Sequence, residues 1–269
     1  GTGSVSLGGR GDLRDWEIVN RPAKGFVPGP RWAGAPFFAL WTKAAGSQPI
    51  ARVLEGPLDS SLYEGASGSI ATNHGLPRFA RNTFAAAYPF GQVMLSDPQM
   101  PVSVRLEAFN PLVPTDADAS SWPVAVLRYR LHNHTKKRLS LSLCGSLPNF
   151  VGNDGHSNNA HQNRNRFRRN KELSGLFMDS LGVDHQAEQW GSMALATTAT
   201  AGLSYRTAWL KAGWGTSTLD FWDDFSSDGR LENRRCAGED MPIGSLCVST
   251  TLAPGAEKSI TFLIAWHFP

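Results

Sequence analysis

Apolar and polar residues alternate through most of this chain. Val102, Val104, Leu106 and Ala108 interleave with Ser103, Arg105 and Glu107. A period of two puts successive side chains on opposite faces of a strand. Ala125, Leu127, Tyr129 and Leu131 repeat the pattern against Val126, Arg128 and Arg130, as do Leu139, Leu141 and Leu143 against Ser140 and Ser142. Each of these segments is expected to have one wet face, as antiparallel sheets do. The polar stretch HNHTKKR between Leu131 and Leu139 has the length of a hairpin turn. Near the C-terminus, Leu246, Val248 and Leu252 lead into Ala253-Pro254-Gly255, and Ile260, Phe262, Ile264 and Trp266 follow. Leu263 and Ala265 lie opposite them, which predicts a strand buried on both faces, one of them against another domain. Further strands are expected at 36–42, 51–54, 84–95, 173–179, 192–198 and 203–210. No internal repeat is visible.

One short helix is expected after residue 216. Ser217 would cap it, Asp220 would sit in its first turn, and Leu219, Trp222 and Phe225 would form its apolar stripe. Gly229 would stop it. Long strand–helix alternation is missing, so a parallel sheet is disfavoured. The expected fold is all-β: a large two-sheet antiparallel β-sandwich with long loops and one or two short helices. A chain of 269 residues suits one such domain. Loops at 55–82, 110–123 and 148–172 are long for plain connections.

Composition narrows the function classes. Charged residues make up 18% and hydrophobic residues 41%, as in folded globular proteins. A net charge of +3 gives no ground for a nucleic-acid partner. The basic run Arg164, Arg166, Arg168, Arg169 and Lys171, with Phe167 its one aromatic, reads as a solvated loop. Cys144, Cys236 and Cys247 are widely spaced, without a CxxC, and read as free buried thiols. No apolar run reaches the ~20 residues that cross a bilayer, so no transmembrane segment is expected. The chain opens GTGSVSLGG without a methionine, as a piece of a longer polypeptide would, so the sequence gives no localisation.

Glycoside hydrolysis needs two carboxyl groups flanking a sugar. The adjacent pairs here are Asp15 with Glu17, Asp116 with Asp118, Asp223 with Asp224, and Glu239 with Asp240. Asp15 and Glu17 would share one face of a strand. They read either as an acid pair or, preferably, as an ion-paired cluster with Arg10, Arg14 or Arg21. Asp116 and Asp118 read as solvated or capping groups in a turn-rich loop. Asp223 and Asp224 read as water-facing. His156 and His161, beside Asp154, have no zinc-ligand spacing, and neither a metal nor another cofactor is expected. The nine tryptophans are more than usual. Most read as core or interface. Trp32, Trp122 and Trp214, beside Gly or Pro in loops, are the candidate sugar-stacking platforms.

Several segments together resemble one family. GTGSVSLGGRGDLRDWEIVNRPAKG is similar to the start of glycoside hydrolase family 116, which includes β-glucosidases and the non-lysosomal glucosylceramidase. Tyr88-Pro89-Phe90-Gly91, VSVRLEAFNPLVPTDADASSWPVAVLRYRLHN, LSGLFM, GSMALAT and APGAEKSITFLIAWHFP resemble later family segments in the same order. The stretch 152–172 is less diagnostic, and a PLGGI-like lead before Gly1 is missing. The resemblance implies that 1–269 is the N-terminal β-sandwich domain of a longer enzyme with a C-terminal helical (α/α)6 catalytic domain. It implies retaining hydrolysis of a β-glucoside or glucosylceramide-like substrate by a glutamate nucleophile and an aspartate acid/base. Both belong to the helical domain, and no residue here matches either motif, so no catalytic residue is expected in this chain. Candidates for domain docking or a substrate entrance are Arg14, Asp15, Trp16 and Glu17, Trp122, the Trp222 helix and the final strand. The alternative is a free-standing carbohydrate-binding sandwich that uses the three loop tryptophans.

Overall fold

In the computed structural model, residues 3–29, 34–65, 69–234 and 240–269 are described. Trp32, Cys236 and Glu239, singled out above, lie outside them. In chain order the first strands are β1 (Gly3–Leu7), β2 (Leu13–Ile18), β3 (Phe37–Ala44), β4 (Ile50–Val53), β5 (Arg81–Ala87) and β6 (Phe90–Ser96). Then come β7 (Val102–Phe109), the single-turn helix α1 (Ala117–Ser120), β8 (Val124–Asn133), β9 (Leu139–Pro148), β10 (Asn163–Arg169) and β11 (Ser174–Ser180). The chain closes with β12 (Ser192–Thr197), β13 (Leu203–Arg206), α2 (Thr216–Asp228), β14 (Ile243–Leu252) and β15 (Glu257–His267).

The strands form an eight-stranded sheet in the order β10-β11-β12-β15-β8-β7-β6-β5 and a five-stranded sheet in the order β13-β14-β9-β3-β4. A β1-β2 hairpin adds a small third sheet, and every ladder is antiparallel. The all-β sandwich expected from the alternation is the fold observed. Its main core lies between the two large sheets. Leu127, Tyr129, Leu131, Phe262 and Ile264 from one face Phe38, Leu40, Leu143 and Leu246 from the other. Phe38 sits at the centre, with ring centroids 5.2 Å from both Tyr129 and Phe262.

The outer face of the five-stranded sheet carries a second core, sealed by α2. Phe37, Trp41, Cys144 and Cys247 face Trp209, Phe221 and Phe225. Trp209 stacks on Phe221 at 4.5 Å. The Trp41 indole N–H donates to the Ser226 carbonyl at 3.1 Å. Cys144 and Cys247 are free buried thiols, and burial pushes the Cys144 thiol well above its usual value. The serine face of β9, expected to be wet, is therefore interior from Ser142 onward, while Ser140 is exposed as expected. Ser142 and Ser146 are buried, and their hydroxyls pair with those of Ser249 and Ser245 at 2.9 and 2.8 Å.

Other expectations are corrected by pairing. The polar turn after Leu131 does not close a hairpin, because β8 and β9 belong to different sheets. The same holds for β14 and β15, so both connections are arches over the sandwich. Buried Asn133 ties the two arches together, donating through Nδ2 to the Lys137 and Ala253 carbonyls at 2.8 and 2.9 Å. The segment 84–95 is a hairpin of β5 and β6, not one strand. The basic run expected to be a solvated loop includes edge strand β10, on which Arg164, Arg166 and Arg168 share one face. Only 203–206 of the stretch 203–210 is strand.

Helix α2 forms where expected but on a different stripe. Gly215, not Ser217, is its N-cap residue. Ser217 is buried in the first turn, where its hydroxyl donates to the Ala212 carbonyl at 2.8 Å. The buried stripe is Ser217, Phe221 and Phe225, at the four-residue spacing of one helix face, and Leu219 is exposed. Gly229 ends the helix in the left-handed region, at φ 75°, as expected. Asp224, expected to face water, is instead drawn in by Arg206. That arginine is 1% exposed and donates from Nε and Nη2 to Asp224 at 3.1 and 2.7 Å, and from Nη1 to Asp220 at 2.6 Å. Asp223 is exposed, as expected.

Candidate docking and entrance surface

The β1-β2 hairpin places the first group of candidates. Its register slips between Ser4 and Ser6, so that Asp15 and Trp16 together stand opposite Val5. Asp15 takes φ 50°, a conformation that aspartate tolerates better than most residues. The bulge turns Trp16 inward. Trp16 is 3% exposed and meets Phe150 edge to face at 5.4 Å. Asp15 pairs with Arg14 at 3.3 Å and accepts the Gly25 N–H at 2.6 Å. Glu17 accepts from the Ser4 hydroxyl at 3.4 Å. Of this group Arg14 is the most exposed.

That geometry supports the ion-paired reading of Asp15 over an acid pair. The Gly25 N–H holds the Asp15 carboxyl below its usual value, opposite to what a general acid needs. Two other candidate carboxylates are engaged as well. Asp116 caps α1 by accepting the Ala119 N–H at 2.9 Å. Asp240 accepts from the Gln162 N–H at 3.0 Å and lies 2.9 Å from His161 Nδ1. Sequence reasoning missed Glu55, which is buried and whose carboxyl is pushed up by that burial. Arg78 and Arg10 close over it at 3.0 and 3.4 Å, so it clamps the 55–82 loop to the N-terminal segment rather than facing a ligand. A single Glu between Val53-Leu54 and Gly56-Pro57-Leu58 gives no signal that it meets two arginines from distant segments.

Asp154 shows the opposite balance. Its side chain is fully buried. Burial alone raises its pKa, but the Ser157 N–H, the Gln189 amide and the His156 N–H hold it well below the usual carboxylate range. Arg21 adds a contact at 3.1 Å, stitching 149–162 to the segment after β2. His156 Nε2 meets the Pro22 carbonyl at 2.8 Å. Among the described residues no three His, Cys, Asp or Glu side chains gather as a metal site would require.

The tryptophan candidates fall in different places. Trp122, 65% exposed, stands just before β8 on the rim of a cleft of about 480 Å³. That cleft lies between the β1-β2 hairpin and one end of the eight-stranded sheet. It is lined by Val5, Leu7, Phe109 and Trp266 among others. Asn110 holds the rim by donating to the Trp122 and Val124 carbonyls at 3.2 and 3.1 Å. Tyr88 at the β5-β6 tip and Phe90, whose ring lies 5.1 Å from Phe109, extend the apolar surface at this end of the sheet. Trp214 is 92% exposed, ahead of α2 at the other sheet, and is not part of the cleft lining. Trp222 is half-buried on α2, edge-on to Phe225 at 6.4 Å. The structure thus groups Trp122 with the N-terminal hairpin and leaves Trp214 and Trp222 apart. No helix among the described residues is long and apolar enough to cross a membrane.

Among solved structures, the GH36 α-galactosidase AgaB from Geobacillus stearothermophilus is 9% identical, with a TM-score of 0.45 over 100% of this chain and 39% of that one. A polysaccharide lyase is 10% identical, with a TM-score of 0.44 over 100% of this chain and 33% of that one. The chain therefore spans well under half the length of either. At the sequence level, a family model described as beta-glucosidase 2, glycosyl-hydrolase family 116 N-term, matches residues 1–269. With that match over its whole length, the chain belongs to the N-terminal domain family of glycoside hydrolase family 116.

Proposed function

We propose that this chain is the non-catalytic N-terminal module of a retaining β-glucosidase or glucosylceramidase-like enzyme. It packs on a C-terminal helical catalytic domain of the same polypeptide and walls one side of the substrate entrance. The observation that carries this reading is the family match across residues 1–269. The engaged state of five of the carboxylates supports it. Asp15, Asp116, Asp224 and Asp240 each hold a local structural bond, and Glu55 is sealed beneath two arginines. The nucleophile and the acid/base of the two-step displacement then come from the catalytic domain. Trp122 on the cleft rim and Arg14, the most exposed residue of the hairpin group, are assigned to the entrance wall. Assays with an aryl β-glucoside test the proposal. The full polypeptide should release glucose, and residues 1–269 alone should release none. Glucose release by the purified 269-residue chain that disappears on Asp15→Asn would sink it.

A second reading, a carbohydrate-binding sandwich, draws on the exposure of Trp122 and Trp214. Titration of the chain with β-glucosides, followed by indole fluorescence, decides it. Saturable binding lost on Trp122→Ala or Trp214→Ala would favour this second reading.

A further inference from the structure

The two large sheets differ in how their outer faces are treated. Helix α2 seals that of the five-stranded sheet, whereas no described element seals that of the eight-stranded sheet. The ladder register fixes which residues point outward there. Phe109 stands opposite Val126, Val126 opposite Leu263, Leu263 opposite Ala196, and Ala196 opposite Gly175. The next row out runs Val124, Ala265, Ala194 and Phe177. Two neighbouring apolar rows therefore cross the sheet side by side. From β7 to β11 they span roughly 19 Å at the usual strand spacing. Beside Leu263 on the central strand, Ala265, Ala194, Ala196 and Gly175 keep the β15–β11 part of the rows low enough for another backbone to approach. Phe109 and Phe177 stand at the ends, each beneath a guanidinium: Arg128 at 5.5 Å and Arg168 at 4.0 Å from the ring centres.

The flanks of this trough are positive. Arg105, Arg128 and Arg130 line one side, and Arg164, Arg166 and Arg168 line the other. Facing them are the carboxylates Glu107, Asp179 and Glu257, which pair with four of the six. Arg105 and Arg168 are exposed and make no ion pair among the described residues.

Resting on the proposed function, we infer that this outer face is the dock for the catalytic domain, which meets it with an apolar ridge flanked by carboxylates. An apolar strip of this length inside a charged frame is the form of an interface. The excess of arginine selects an acidic partner. A second copy fits poorly, because a two-fold contact would set the two arginine frames against each other.

Oxidative footprinting of the full polypeptide tests the assignment. Phe177 and Leu263, half-buried in the chain by itself, should be protected. Two variants should raise their labelling several-fold: Ala196→Trp, which fills the trough, and the Arg105→Glu/Arg168→Glu double variant, which reverses its unpaired charge. Phe262, on the inner face, reports that the sandwich remains folded; a variant in which it labels is set aside and the other one decides. Free labelling of Phe177 and Leu263 in the wild-type full polypeptide would overturn the inference. So would protection that fades on dilution, which marks a second copy. Turnover of an aryl β-glucoside by the same preparation separates the two ideas. Turnover with a freely labelled face removes the dock alone, whereas protection without turnover removes only the enzymatic reading.

Discussion

At the scale of single residues, several carboxylates of this domain hold loops in place, among them Glu55, Asp116 and Asp154. Asp154 illustrates the energetics. Inside the fold its carboxylate replaces water with the Ser157 and His156 N–H groups, the Gln189 amide and Arg21. Hydrogen bonds to a charged group are the strong ones, so Asp154→Asn should cost about 2 kcal/mol near pH 7. The pH dependence follows from the lowered pKa. A carboxyl depressed in the folded state stabilises the fold above its unfolded pKa of about 3.9, and that stabilisation drains away as pH falls toward the folded value. Urea unfolding of the wild-type and variant chains should show a gap at pH 7 that shrinks by pH 3. An equal gap at both would mean that the charge is not what holds the loop.

The elements behave according to how they are covered. Helix α2 is short and carries few strong helix formers, so it persists through its packing against β3 and β14. Its end is fixed by Gly229, whose positive φ suits glycine and where a Cβ would come 2.6 Å from the Trp41 ring. A series of glycine-to-alanine changes separates the two costs. Gly213→Ala, with open space and ordinary φ, should be near neutral. Gly46→Ala has positive φ but open space and should cost about 1 kcal/mol. Gly229→Ala adds overpacking and should cost about 3 kcal/mol. Thermal melts would contradict this account if Gly229→Ala matched Gly46→Ala. The same helix shows what the sequence conveys. Its position and its stop at Gly229 were legible, because capping glycine is a local signal. Its buried stripe was not, since Leu219 and Trp222 are as apolar as Phe221. Only the facing Trp209 and Phe37 select among them. Strand alternation was legible for the same local reason, while partners were not. Nothing in HNHTKKR distinguishes an arch between sheets from a hairpin within one. Strand β10 was hidden because its outward side chains are arginines, whose inward neighbours Asn163 and Asn165 bond to backbone carbonyls instead of packing as apolar groups. The entrance candidates were only partly legible. Tryptophan type alone does not separate Trp16 from Trp122, and the bulge at Asp15 does.

For the whole molecule, that contrast turns into a test of what the domain contributes to an enzyme. Trp16 lies in the main core with Phe150, and Trp122 lies on the rim of the apolar cleft with most of its surface in water. Removing a buried indole costs about 3–5 kcal/mol, enough to unfold a marginal domain. Removing an exposed one leaves the fold almost untouched. In the full polypeptide Trp16→Ala should therefore lower the melting temperature and reduce activity toward every substrate in proportion to the folded fraction. Trp122→Ala should leave the melting temperature unchanged. Its effect should depend on the leaving group. If the cleft end of the sheet walls the entrance, a β-glucoside with a bulky apolar aglycone buries less of its surface there in the variant, whereas a small aryl glucoside does not reach it. An interaction removed equally from bound substrate and transition state raises KM and leaves kcat alone. One aromatic interaction of about 1 kcal/mol then corresponds to a rise in KM of roughly fivefold for the bulky substrate only. Equal KM values for wild type and Trp122→Ala across a series of aglycone sizes would detach this end of the sandwich from the entrance. The stability result for Trp16 would stand regardless, because it rests on the core alone.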